Sequence, residues 1–285
     1  MKHKILLPTD FSDNSWNSIR YALQLFKKRE CTFYLLNVYT PLLYNLEYIA
    51  SGQTIYDLDD TSKKQSEIQL TALKKRVLEE FNNPLHQIET ISAFNELIPG
   101  IRSVVESEKI NFIVMGTKGA TGAKEILFGS NTIHTLKNAT IPLLAIPENF
   151  EFKKVENVLF PTDYHIMYEN SQISPILEIV QLDQAALNVL HVAAGYELSE
   201  SQQFNKAILV SLLNTVNSNY HNVPDGDLEE AINEFQATHK TDMLVMINNK
   251  HSFFENILFR STIKQVGFHL KIPFLVIPTK KNRNY

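Results

Sequence analysis

The 285-residue sequence contains one cysteine, Cys31, which excludes an internal disulfide and a cysteine-built metal site. It also lacks any run approaching the ~18 apolar residues that a membrane helix needs. The opening "MKHKILLPTDF" has too short an apolar stretch for a signal sequence, so the cytoplasm is the expected address and no membrane partner is expected. Positive charge is not in surplus either. The formal net charge is −4 and there is no polybasic tail, which argues against generic nucleic-acid binding. Glycine is scarce, with nine in the chain, yet four of them (Gly116, Gly119, Gly122 and Gly129) are concentrated in "GTKGATGAKEILFG". A composition of 44% hydrophobic and 20% charged residues is globular, and the length suits one large domain or two ordinary ones.

Internal repetition favours two. "KILLPTDF" returns as "NVLFPTDY", which sets Pro8, Thr9 and Asp10 against Pro161, Thr162 and Asp163, 153 residues apart. "EILFGS" returns as "NILFRS" and "IPLLAIP" as "IPFLVIP", both 131 residues apart, so the second copy is 22 residues shorter between its first and last segments. The expected domains are 1–149 and 150–285, joined near the charged "ENFEFKK".

Short β-branched runs alternate with helical patterns in the first copy, which predicts βα units and a parallel sheet. Strands are expected near 4–8, 33–38, 87–93, 111–115 and 142–146, and helices near 13–28, 60–82, 96–108 and 126–137. Ile98, Ile101, Val104 and Val105 form a stripe suited to packing on a sheet. Residues 40–58 lack a period, and so long a loop reads as a lid or binding element.

Glycines between a strand and a helix allow positive φ and let backbone N–H groups approach a ligand. The helix expected from Ile126 would aim its N-terminal dipole at the same place, Ser130 and Thr132 would add hydroxyls, and Lys118 and Lys124 would add charge. Phosphate fits such a site. A Walker loop is excluded because the stretch has no Gly-Lys pair, and the dinucleotide fingerprint is excluded because there is no G-x-G. What fits is G-x2-G-x9-G-[ST], carried by Gly116, Gly119, Gly129 and Ser130. Thr9, Asp10 or Ser12 could instead simply cap the helix that follows.

"PTDFSDNS", this glycine pattern and "IPLLAIP", in that order, resemble the universal stress protein family, and the resemblance spans nearly the whole chain as two tandem domains. It implies an α/β fold of two open parallel five-stranded sheets of order 3-2-1-4-5, Rossmann-like and similar to the adenine nucleotide alpha hydrolases. It implies ATP, or another adenine nucleotide such as AMP or ADP, in the N-terminal domain only, with Mg²⁺ entering on the phosphates. Pro8, Thr9 and Asp10 would line the ribose and adenine side, and Val38 would meet adenine through its backbone. Gly116, Gly119, Gly129, Ser130 and Thr132 would take the phosphates. Asn37 departs from the histidine often found before that valine. Pairing of the two domains through their last strands, and further homodimerisation, are also implied.

In the second copy Ile247, Lys250, Phe253 and Arg260 replace the four glycines and only Ser261 survives, so no ATP site of this type is expected there. Three functions stay open: a nucleotide-binding regulatory protein that an unknown protein partner reads, a slow Mg-dependent ATP hydrolase, and a non-nucleotide scaffold. No residue is assigned a catalytic role and no dedicated metal site is expected.

Overall fold

The computed structural model describes residues 2–40, 55–117, 129–193, 197–224, 226–248 and 271–279. Residues 41–54, most of the expected lid, lie outside this set, as do Lys118, Gly119, Gly122, Lys124, Lys250, Phe253, Arg260 and Ser261. The chain divides into two compact units, Met1–Asn138 and Ala139–Tyr285.

In the first unit the elements run β1 (His3–Pro8), α1 (Asp13–Leu25), β2 (Cys31–Tyr39), α2 (Ile55–Glu80), β3 (His86–Phe94), α3 (Leu97–Glu108), β4 (Phe112–Gly116) and α4 (Ser130–Asn138). The strands lie in the order β3-β2-β1-β4, with β1 parallel to both neighbours. Helices cover the sheet, so its central strands are apolar throughout instead of alternating. Ile5, Leu6 and Leu7 are all fully buried, at roughly 1.5–3 kcal/mol of hydrophobic stabilisation each.

Local sequence explains the helices. Ser12 N-caps α1, its hydroxyl accepting from the Ser15 amide. Ser66, Leu70, Leu73 and Val77 recur at helical spacing and form the buried stripe of α2. In α3 the stripe is Gly100, Ile101, Val104 and Val105, and the helix ends where Lys109 turns left-handed at φ 55°. The expected strands and helices are present with ends shifted by a few residues. α4 begins at Ser130, and residues 126–128, where its start was expected, lie outside the described set.

The second unit contains β5 (Leu143–Ile146), β6 (Asn157–Thr162), α5 (Asn170–Asp183), β7 (Ala186–Val192), α6 (Glu200–Leu212), β8 (Ser218–Val223), α7 (Leu228–Thr238), β9 (Met243–Asn248) and β10 (Phe274–Pro278). Its strand order is β5-β10-β9-β6-β7-β8. Taken from β8, the parallel strands reproduce the expected 3-2-1-4-5 order. β5, the last strand of the first sequence repeat, runs antiparallel to β10, with Phe274 opposite Ala145 and Val276 opposite Leu143. The repeated "IPLLAIP" and "IPFLVIP" segments therefore pair with each other, and β5 covers what would otherwise be an open edge of apolar strand.

Candidate functional site

β1 ends at the centre of its sheet, and the chain there must leave for α1. Pro8 opposite Leu36 is the last β1–β2 pair, whereas β2 and β3 stay paired as far as Tyr39 and Phe94. The end of β2 therefore overhangs β1 on one side and β4 stands on the other. The gap is the crevice at a topological switch point, the usual ligand site of open α/β sheets.

The turn after β1 is built by its own side chains. The Phe11 amide donates to Thr9 Oγ1 at 3.0 Å, and Phe11 itself is left-handed at φ 62°. Ser15 Oγ donates to the Ser12 carbonyl, so the 2.9 Å contact between Thr9 Oγ1 and Ser15 Oγ has Thr9 as donor. Asp10 Oδ1 accepts from the Ser12 amide at 3.1 Å and the Ser12 hydroxyl at 2.6 Å. Asp10 is exposed, and this bonding holds its carboxylate at the mouth of the crevice.

On the far side, Gly129 caps α4. Its carbonyl accepts from the Ile133 amide at 3.0 Å, and its own N–H is taken by the Thr117 carbonyl at 2.7 Å. The first-turn amides of Ser130, Asn131 and Thr132 have no carbonyl four residues back within the helix, and among the described residues no backbone acceptor outside it is seen for them. Thr132 is buried and its hydroxyl donates to the Gly116 carbonyl at 2.9 Å. The Thr132 hydroxyl thus ties α4 to the end of β4.

Gly116 is required for a reason other than φ, since its backbone is not left-handed. A Cβ there would stand 2.4 Å from Asn14 Nδ2 and 3.0 Å from the Asn14 carbonyl oxygen. The first turn of α1 packs directly on the end of β4. Gly100 plays a similar part in α3, where a Cβ would meet the two γ-methyls of Val38 at 3.1 and 3.3 Å.

These elements enclose a cleft with about 630 Å³ of empty space, counting that open to solvent. Of the residues singled out in the sequence, Pro8, Thr9, Asp10, Val38, Gly116 and Thr132 line it together. Gly129 and Ser130 stand immediately before its wall, and Gly119, Lys118 and Lys124 fall outside the described residues. Ser15, Asn37, Leu97, Met115 and Asn131 complete the lining. Ser15 belongs to the "PTDFSDNS" stretch and Asn37 stands out only as a departure from the family's histidine, whereas Leu97, Met115 and Asn131 carry no motif signal of their own, because their shared position arises from where four strands end. Asp10 is the only ionisable side chain among the described lining residues. No group of three or more metal-ligating His, Cys, Asp or Glu side chains occurs among the described residues.

The second unit repeats the turn and narrows the cleft. The Tyr164 amide donates to Thr162 Oγ1 at 3.1 Å, Tyr164 is left-handed at φ 56°, and Asp163 Oδ1 accepts from the His165 amide at 3.0 Å. Pro-Thr-Asp thus builds the same strand exit in both repeats. From that aspartate to the helix N-cap, however, the path is four residues longer, ending at Glu169 instead of Ser12. The added stretch places Ile166 and Tyr168 in the crevice, with the Tyr168 hydroxyl hydrogen-bonded to Thr162 Oγ1. Ile247, the counterpart of Gly116, extends β9 and lines the same space, which shrinks to about 340 Å³. This closure by an insertion was not among the sequence expectations, which rested on the lost glycines.

Comparison with known proteins agrees with this architecture. The family model described as the universal stress protein family matches residues 1–147 and 156–278. Universal stress protein MJ0531 of Methanocaldococcus jannaschii is 32% identical over 147 residues, covering 50% of this chain and 81% of that protein. Universal stress protein MJ0577 of the same organism is 28% identical over 159 residues, covering 51% and 95%. The crystal structure of a universal stress protein from Archaeoglobus fulgidus aligns with a TM-score of 0.71 at 19% identity, covering 96% of this chain and 98% of that one, a likeness of fold.

Proposed function

The chain belongs to the universal stress protein family, and from that premise we propose that its first repeat binds an adenine nucleotide, ATP or a close relative, as a regulatory protein. The single observation that carries this reading is the contrast between two clefts at equivalent strand ends, which among the described residues enclose about 630 Å³ in the first repeat and about 340 Å³ in the second, where Tyr168 and Ile247 intrude. The open cleft has an apolar end at Val38 and Leu97 and a donor-rich end at Gly116 and the first turn of α4. That polarity matches a flat base at one end and phosphates on a helix N-terminus at the other.

In this reading Asp10 bonds the sugar, Val38 offers backbone to the base, and the amides of Ser130 and Asn131 take phosphate oxygens with Gly119, while Gly129, whose own N–H is held by the Thr117 carbonyl, sets the start of α4. Thr9 and Thr132 hold the two walls in place, because their hydroxyl hydrogens already have protein acceptors. Lys118 and Lys124 add attraction from the loop. The second repeat serves as a structural or partner-binding domain. With one ionisable side chain among the described lining residues, the cleft is better equipped to bind than to turn over a substrate.

Thermal unfolding of the nucleotide-free chain with and without ATP tests this, since a ligand that binds only the folded state raises the unfolding temperature. The wild type should be stabilised by ATP and a Gly129→Arg variant should not. A wild type that ATP leaves unshifted at millimolar concentration would overturn the proposal.

A further inference from the structure

The apolar end of the cleft contains one side-chain amide, Asn37, immediately before Val38 at the end of β2. Its Nδ2 donates to the Thr9 carbonyl oxygen at 2.8 Å. A carbonyl oxygen can only accept, so this bond fixes which way round the carboxamide stands. Turning the group over would set Oδ1 against the Thr9 oxygen, acceptor against acceptor, and lose the bond. Asn37 is half-buried and lines the cleft, which leaves Oδ1 as a fixed acceptor beside the position that suits a base.

The second repeat shows that this position is free to do otherwise. Pro8 opposite Leu36 corresponds to Pro161 opposite Leu190, so Asn37 corresponds to His191. The His191 ring stacks on Tyr164 with centroids 4.8 Å apart, and its Nδ1 bonds Asn222 Oδ1 at 3.1 Å. His191 is thus engaged with Tyr164 and Asn222, whereas Asn37 lines the cleft of the first repeat.

We propose that Asn37 is the specificity-determining residue for the base, with Oδ1 accepting a hydrogen bond from the 6-amino group of a 6-aminopurine. A 6-oxopurine would place its own acceptor against Oδ1, and the Thr9 carbonyl prevents the amide from turning to suit it. This rests on the nucleotide-binding reading of the cleft.

The test compares ATP with inosine triphosphate, which carries oxygen at position 6, by calorimetric titration of the full nucleotide-free chain as wild type, Asn37→Leu and Asn37→Ala. One hydrogen bond gained against one acceptor clash predicts about a tenfold preference of the wild type for ATP. Either variant should bring the two affinities to within about twofold of each other. The ratio is the informative quantity, because loosening of the β1–β2 turn would weaken both ligands alike. The two replacements differ in size, so one that folds poorly leaves the other to decide. A wild type that binds both nucleotides equally, or a preference that survives both replacements, overturns the role of Asn37 while leaving the cleft a nucleotide site. A wild type that binds neither removes both.

Discussion

The hydroxyl of Thr132 donates to the carbonyl oxygen of Gly116 at 2.9 Å, joining the first turn of α4 to the last residue of β4. The bond is buried and sets the distance between the two walls at the donor-rich end of the cleft. Thr132→Val keeps the shape and removes the donor that the buried Gly116 carbonyl has among the described residues. Urea unfolding should show a loss of about 1–3 kcal/mol, and ATP affinity should fall because the α4 amides are no longer held in place.

Gly116 tolerates no side chain because α1 lies against it. Gly116→Val would drive methyl groups into Asn14, whose backbone oxygen cannot move without shifting the first turn of α1. Overpacking of this kind costs about 1–3 kcal/mol, and it should also abolish nucleotide binding because the cleft wall is displaced. Chemical unfolding and a nucleotide titration on the same sample check both effects.

Tyr168 is the plug of the second cleft and should matter for stability alone. Tyr168→Ala removes a buried ring and its bond to Thr162, at a cost of about 3–5 kcal/mol. The opened space still has Ile247 where the first repeat has Gly116, so the number of ATP sites per chain should not change. A second site appearing in this variant would show that the plug, and not the strand-end chemistry, decides where nucleotide binds.

The second unit should lose stability at both ends of the pH scale. Burial, and then the neighbouring phenol of Tyr220, pushes Tyr164 up to about 12, and burial also raises Tyr168. A phenol raised above its unfolded value of about 10 contributes stability that is present below pH ~10 and lost as pH rises through the folded value. Tyr164→Phe should flatten that alkaline decline. His191 is shifted the other way, lowered first by burial and then by the Lys206 and His165 charges, against the opposing pull of Asp163. Its contribution is present above pH ~6.5 and lost as pH falls through the depressed value. His191→Asn, the residue at the matching position of the first repeat, should make the acid decline shallower. Unfolding free energies measured from pH 4 to 11.5 test both slopes.

Much of this fold is legible in the sequence because repetition exposes it. Pro-Thr-Asp recurs and marks the strand exit in both repeats, and the buried stripes of α2 and α3 follow from helical spacing. The pairing of β5 with β10 is implied by the family resemblance and not by the residues themselves, since Leu143–Ile146 and Phe274–Pro278 read as any buried strands until their neighbours are known. The site divides in the same way. Gly116 and Thr132 stand out through a motif, but the packing of Asn14 on Gly116 and the bond from Thr132 to Gly116 depend on how α1 and α4 are placed. Asn37 stands out in the sequence only as a departure from the family's histidine, with no role attached, and Leu97 carries no signal, because only the converging strand ends bring them to one cleft. The plug was hidden by its shortness, a four-residue difference between Asp163 and Glu169 within a copy that is shorter elsewhere.

The central claim is one nucleotide site per chain, in the first repeat. Isothermal titration of the nucleotide-free, full-length chain with Mg-ATP measures the stoichiometry directly. The account predicts one saturable site per chain, abolished by Gly116→Val and retained in Ile247→Gly. Two sites per chain, or a site that survives Gly116→Val in folded protein, would contradict it.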